Sequence, residues 1–179
     1  MMHEMGIANF YKAPWSQLGA EIMNPIGCGD CHDPKTMDLK ITRPALIEAF
    51  QRQGKDITKA TQQEMRSLVC AQCHVEYYFK GEGQYLTFPW DKGMTMEDAE
   101  AYYDETDYYD YIHALSRAPI LKAQHPEYEI AQQGIHAQRG VACADCHMPY
   151  KSEGGIKYSD HHITSPLQYI DRTCQVCHR

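Results

Sequence analysis

A mainly α fold, built from short helices with little β structure, is predicted by three features of this 179-residue chain. Cys-x-x-Cys-His occurs four times, at Cys28–His32, Cys70–His74, Cys143–His147 and Cys174–His178, and these motifs hold all eight cysteines. Leu, Ile, Val and Phe make up only 29 of the residues, under the fifth or so below which a chain tends to lack a protein core. Helical periodicity comes only in short windows broken by Gly and Pro. Other apolar volume must therefore complete the core. Thirteen Tyr contribute, and a flat apolar macrocycle at each motif would contribute more. Two thiols at this spacing suit thioether bonds to the vinyl groups on one haem edge, with the adjacent imidazole reaching the iron.

Four repeats decide between haem and zinc. With ten His in the chain, chance would place His after all four pairs about once in 10⁵ trials. Structural zinc explains paired Cys-x-x-Cys but not a fixed His offset. The expected haem-holding residues are Cys28, Cys31 and His32; Cys70, Cys73 and His74; Cys143, Cys146 and His147; and Cys174, Cys177 and His178.

Taken in order, Asn9–Gly27, with Pro14 and Pro25, shows no sustained period and reads as an irregular lead-in. The first motif lies in a Gly-rich turn that stops at Pro34. Thr42–Gln53 is a helix capped by Thr42, with Ala45, Leu46, Ala49 and Phe50 on one apolar face facing either haem or another helix. Thr61 to Glu64 has capping-box spacing and opens the helix that delivers Cys70 and Cys73. Gly81–Trp90 reads as an extended ribbon. Thr95 opens a helix toward Asp107 whose Tyr-rich, acidic face is expected to be solvated, and Asp110–Arg117 is expected to continue it. Helix Pro126–Gln133 ends at Gly134, with His136 just beyond, and Gly154–Gly155 forms a turn. The unequal gaps between motifs exclude a tandem repeat.

The net charge of −7, with no basic run, argues against nucleic acid or an anionic membrane surface as partner. No apolar run approaches the roughly 20 residues of a membrane span, and the N-terminus has neither a basic nor an apolar signal region. Covalent haem attachment follows export. The chain is therefore expected to be an internal piece of a longer, periplasmic protein, with residues 1–179 forming one partial domain.

Electron-carrying haems usually take a second axial imidazole. Six His remain outside the motifs: His3, His113, His125, His136, His161 and His162. His136, after a helix end, and His161, in a short linker, are placed to reach a neighbouring haem; His113 reads as structural, and His3 and His162 receive no role. Directly after the second motif come Glu76 and Tyr77, a carboxylate and a phenol beside a cofactor. Their plainer reading is a helix-end carboxylate and a packed aromatic.

Five stretches carry a resemblance. CAQCHVEYYF (Cys70–Phe79), FPWDKGM (Phe88–Met94), LKAQHPEYE (Leu121–Glu129), GIHAQRGVACADCHMP (Gly134–Pro149) and SDHHITSP (Ser159–Pro166) closely resemble the pentahaem, ammonia-forming cytochrome c nitrite reductases, over nearly the whole chain. The resemblance implies that the full protein reduces nitrite to ammonium at a fifth, lysine-ligated haem, fed with electrons through four bis-His haems. It implies that Tyr77 and His125 line the catalytic pocket. It implies that His136 is the distal ligand of the haem on Cys70 and Cys73, and His161 that of the haem on Cys28 and Cys31. Calcium is then expected on Glu76, the carbonyls of Tyr77 and Lys122, and Gln124, an oxygen set that suits Ca²⁺.

The family's Cys-x-x-Cys-Lys, its pocket arginine, the distal ligands of the Cys143 and Cys174 haems, and the dimer-forming C-terminal helices have no counterpart in this stretch. A central fragment is the expectation. A quinol-oxidising or small multihaem cytochrome is the implied electron donor, and a homodimer the implied assembly. The alternative is a multihaem electron-transfer cytochrome without nitrite chemistry, which would have no reason to keep Glu76–Tyr77 together with Lys122–His125.

Overall fold

The computed structural model describes residues 1–23 and 26–178, with the backbone alone at Met2 and His3. In order come α1 (Met2–Met5), α2 (Ile7–Lys12), α3 (Trp15–Leu18), α4 (Pro44–Arg52), α5 (Gln62–Ala71), β1 (Tyr78–Lys80) and β2 (Tyr85–Thr87). They are followed by α6 (Met96–Thr106), β3 (Tyr111–Ile112), β4 (Pro119–Ile120), α7 (Glu127–Gln133), α8 (Ile135–Gln138), α9 (Cys143–His147), β5 (Tyr150–Glu153), β6 (Ile156–Ser159) and α10 (Ile170–Thr173). The described residues are mainly α, and their strands form three separate antiparallel hairpins. No helix among them is long and apolar enough to cross a membrane. The expected irregular lead-in contains α2 and α3, each too short for a sequence period to show; Pro25 lies outside the described residues.

Local chemistry sets several boundaries. Thr61 and Thr95 each accept from the backbone N–H three residues on, while Glu64 and Asp98 reach back to the cap amides, so α5 and α6 both open on a complete capping box. Thr42 does not cap α4. The helix begins at Pro44, and Gln72 Oε1 accepts from the backbone N–H groups of Thr42 and Arg43 at 2.6 and 3.0 Å. This ties the start of α4 to the second Cys motif. The glycine turn joining β5 to β6 has positive φ at both Gly154 and Gly155, a conformation that glycine adopts without steric cost in a two-residue hairpin.

The expected helix Asp110–Arg117 does not form. Asp107 adopts the left-handed conformation (φ 48°) that ends α6. The chain turns back as a hairpin, with Tyr111 opposite Ile120. His113 lies in its loop and pairs with Ser116 Oγ. Nor is the tyrosine face of α6 solvated, because Tyr102 and Tyr103 are buried with Tyr78.

The α4 face goes to protein. Leu46 and Ala49 are wholly buried, and Phe50 meets the Trp90 ring edge-on at 5.4 Å. Phe88, Leu68, Val75 and Tyr128 complete this core, so large aromatic side chains offset the shortage of aliphatic ones.

A polar clamp joins two Cys motifs. Arg66 on α5, 6% exposed, donates from Nε and Nη2 to Asp145 Oδ1 inside the third motif and from Nη1 to Ser159 Oγ. Asp145 also accepts from the Ala142 amide and Gln63. Removing Arg66 would delete three hydrogen bonds made by a buried guanidinium, so Arg66→Ala is expected to cost about 2 kcal/mol. The exposed Lys59–Asp56 pair should be worth about 0–1 kcal/mol. Denaturation midpoints of the haem-loaded full-length variants check the contrast.

Candidate functional site

All eight cysteines are free thiols and none is fully buried, as thioether attachment requires. Between the third and fourth motifs lies a hollow of about 460 Å³ lined by Cys146, Cys177, Val141, Val176, Tyr150 and Arg172. Apolar walls, two thiols and a guanidinium suit a flat apolar group with an acidic edge.

The imidazoles give a second test. Two rings sharing one metal stand about 6 Å apart centre to centre, since each metal–nitrogen bond is about 2 Å. His32 and His161 are 6.1 Å apart. Each donates Nδ1–H to a backbone carbonyl, His32 to Met37 at 2.7 Å and His161 to Ser159 at 2.9 Å, which leaves Nε2 of both rings free for iron. Next to His161, buried Asp160 accepts from the ring and backbone of His162, and these bonds hold its carboxyl down to about 2. Asp160 thus fixes the turn that presents His161, a role the sequence did not disclose.

His136 lies just beyond the end of α7. It sits in α8, a short helix that restarts at Gly134, and its ring is 6.0 Å from that of His178 in the fourth motif. His74 lies 5.8 Å from His125. His147 pairs through Nδ1 with the Thr164 carbonyl at 3.1 Å.

The second motif leads directly into the expected pocket. The rings of Tyr77 and His125 are 5.5 Å apart. His125 Nδ1 is buried and has no hydrogen-bond partner among the described residues. Glu127 lies 3.6 Å from this atom and 3.4 Å from His74 Nδ1. His74, His125 and Glu127 converge closely enough to hold a metal ion, although His74 is also the iron ligand its motif calls for.

Glu76 sits beneath this pocket, 3% exposed. Its Oε1 accepts from the Tyr103 hydroxyl at 3.0 Å and its Oε2 from the Gln124 N–H at 2.6 Å. Burial pushes its carboxyl above the usual range, those two donors oppose the shift, and nearby Asp110 adds to it. Asp110 in turn accepts from the Lys122 N–H at 2.7 Å. Glu76 therefore lies beside the Lys122–Gln124 segment, and a buried carboxylate is a hard oxygen donor of the kind that Ca²⁺ takes. Tyr103, Asp110 and Glu129 were not singled out from sequence. For Tyr103 the signal was there, in the spacing of Ala99, Tyr102 and Tyr103 along one helix face.

A cytochrome c552 family model matches residues 1–179. Cytochrome c-552 of Porphyromonas gingivalis is 79% identical over the whole chain, and that of Parabacteroides distasonis 80%. The chain spans 36% of the length of each. Among solved structures, the cytochrome c nitrite reductase of Desulfovibrio desulfuricans, whose catalytic subunit is described with two calcium sites, matches at a TM-score of 0.78. The match has 46% identity and covers 85% of this chain and 35% of that one.

With no cation bound, the raised pKa of Glu76 means that the folded chain holds a proton the unfolded chain has released. The contribution of Glu76 to stability is then fully present below the unfolded value of about 4.5 and is lost as pH rises through the folded one. Denaturation midpoints of chelator-treated protein should decline over that window. Glu76→Gln should reduce the slope, and an unchanged slope would place its origin elsewhere.

Proposed function

We propose that this chain, which belongs to the cytochrome c552 family, is the central part of a periplasmic nitrite reductase that converts nitrite to ammonium. The observation that carries this reading is the meeting of Tyr77 and His125 above Glu76, directly after a Cys-x-x-Cys-His motif. A pure electron carrier has no need of that arrangement.

Nitrite must gain six electrons and eight protons to leave as ammonium and water. Haem attached to the four motifs supplies the capacity to pass single electrons, from an external cytochrome or quinol-oxidising donor to a catalytic haem outside this stretch. His161, its ring 6.1 Å from that of His32, would join it in holding the haem of the first motif, and His136 would join His74 in holding that of the second. His147 and His178 complete the proximal set. A homodimer is the assembly proposed for the full-length protein.

The proton work falls to this chain's own side chains. His125, whose Nδ1 has no hydrogen-bond partner among the described residues, hydrogen-bonds the oxyanion and donates protons, the role of an imidazole general acid. Tyr77 donates a hydrogen bond from its phenol and orients what is bound. Calcium on Glu76, Gln124 and the carbonyls of Tyr77 and Lys122 would add positive potential toward an anionic substrate. It would also hold the two segments that carry Tyr77 and His125.

Given an artificial electron donor, the full-length protein should consume nitrite and form ammonium; no nitrite consumption would overturn the proposal. The full gene should encode Cys-x-x-Cys-Lys upstream of Met1. His125→Asn should lower kcat by about 10²-fold, the lower end for a lost general acid, while all haems stay attached. Loss of haem in that variant would instead make His125 a structural ligand.

A further inference from the structure

Glu129 is 1% exposed, deeper than any other acid of the described residues, and the nitrite chemistry above does not use it. Its Oε1 accepts from the Glu76 N–H at 2.9 Å and from Trp90 Nε1–H at 2.7 Å, while Oε2 has no partner among the described residues. Burying an ionisable group costs free energy that an apolar side chain of the same size would avoid. A carboxylate here is accounted for by what it holds.

What it holds is the join between the two halves of the pocket. α7 starts two residues after His125, and Glu129 lies about one turn further along. Three bonds draw this stretch onto the end of the second motif: Tyr128 N–H to the His74 carbonyl at 3.1 Å, Gln124 N–H to Glu76 Oε2, and Glu76 N–H to Glu129 Oε1. The first is backbone to backbone, and the second uses the carboxylate assigned to calcium. Only the Glu129 bond comes from a side chain that is neither a calcium ligand nor in the pocket. The same oxygen also accepts from Trp90 in the main core, so the Glu76 backbone is tied to that core.

We propose that Glu129 is a positioning residue: by accepting from Glu76 N–H and Trp90 Nε1–H it fixes the Glu76–Tyr77 backbone against the His125 segment, and so sets both calcium affinity and the Tyr77–His125 spacing. This rests on the assignment of Glu76 to calcium given above. Glu129 acts through Glu76 and touches neither substrate nor cation.

The test uses the haem-loaded full-length protein and two variants of nearly conserved volume, Glu129→Met, which deletes the acceptor, and Glu129→Gln, which keeps it. Calcium alone is titrated into chelator-treated protein by calorimetry, haem content is measured spectroscopically, and kcat and KM for nitrite are determined at saturating calcium. E129M should keep its haems, bind calcium about 10–100-fold more weakly, and lose kcat more than it changes KM. E129Q should recover most of the lost calcium affinity. Wild-type calcium affinity and kcat in E129M would overturn the proposal, as would an E129Q no better than E129M, which would place the effect in charge rather than in the hydrogen bonds. Failure of E129M to take up haem would make Glu129 purely architectural and also overturn it. A wild-type protein that neither binds calcium nor reduces nitrite would sink the underlying function before the variants are compared.

Discussion

The buried carboxylate of Glu76 is the interaction on which the rest of the site depends. It lies three residues past Cys73, so it is fixed to a haem-attachment segment by the chain itself. Its two oxygens accept from Tyr103 on α6 and from the backbone before His125, and its own amide is taken by Glu129 on α7. Burial disfavours its charge. Two donors offset part of that cost, and a divalent cation offsets more while favouring the ionised form. One side chain thereby links the end of the second Cys-x-x-Cys-His motif, the tyrosine cluster and the segment carrying His125.

The surrounding architecture keeps these links in place with few aliphatic residues. Trp90 occupies the centre of the main core, against Phe50, Phe88 and Tyr128, and donates to the same Glu129 oxygen that holds Glu76. Packing and polar anchoring thus meet at one indole. A second network, centred on Arg66 and Asp145, locks the helices of the second and third motifs together. Their mutual position, on which the spacing of any attached haems depends, is set by protein contacts and not by the cofactors alone.

Much of this was legible in the chain. The capping boxes at Thr61 and Thr95 and the glycine turn at Gly154–Gly155 rest on local spacing, and the rings of Tyr77 and His125, quoted in two separate shared motifs, come within 5.5 Å of each other. What escaped was set by tertiary contact. Asp107 ends α6 in a left-handed conformation that no Gly or Pro announces. Tyr102 and Tyr103 sit among acids and read as a solvated face, yet the pocket draws them inward. The face of α4 suited haem as well as it suited Trp90. Glu129 lay inside a quoted motif, but its burial is visible only once α7 docks on the end of the second motif.

The central claim is that a cation held at Glu76 organises the pocket in which Tyr77 and His125 act on nitrite. Its most direct test is nitrite turnover by the haem-loaded full-length protein before and after calcium is removed, with the haem spectrum followed in parallel. The account predicts that turnover is lost on removal and returns on adding calcium, while haem content does not change. Turnover that persists in calcium-free protein would contradict it.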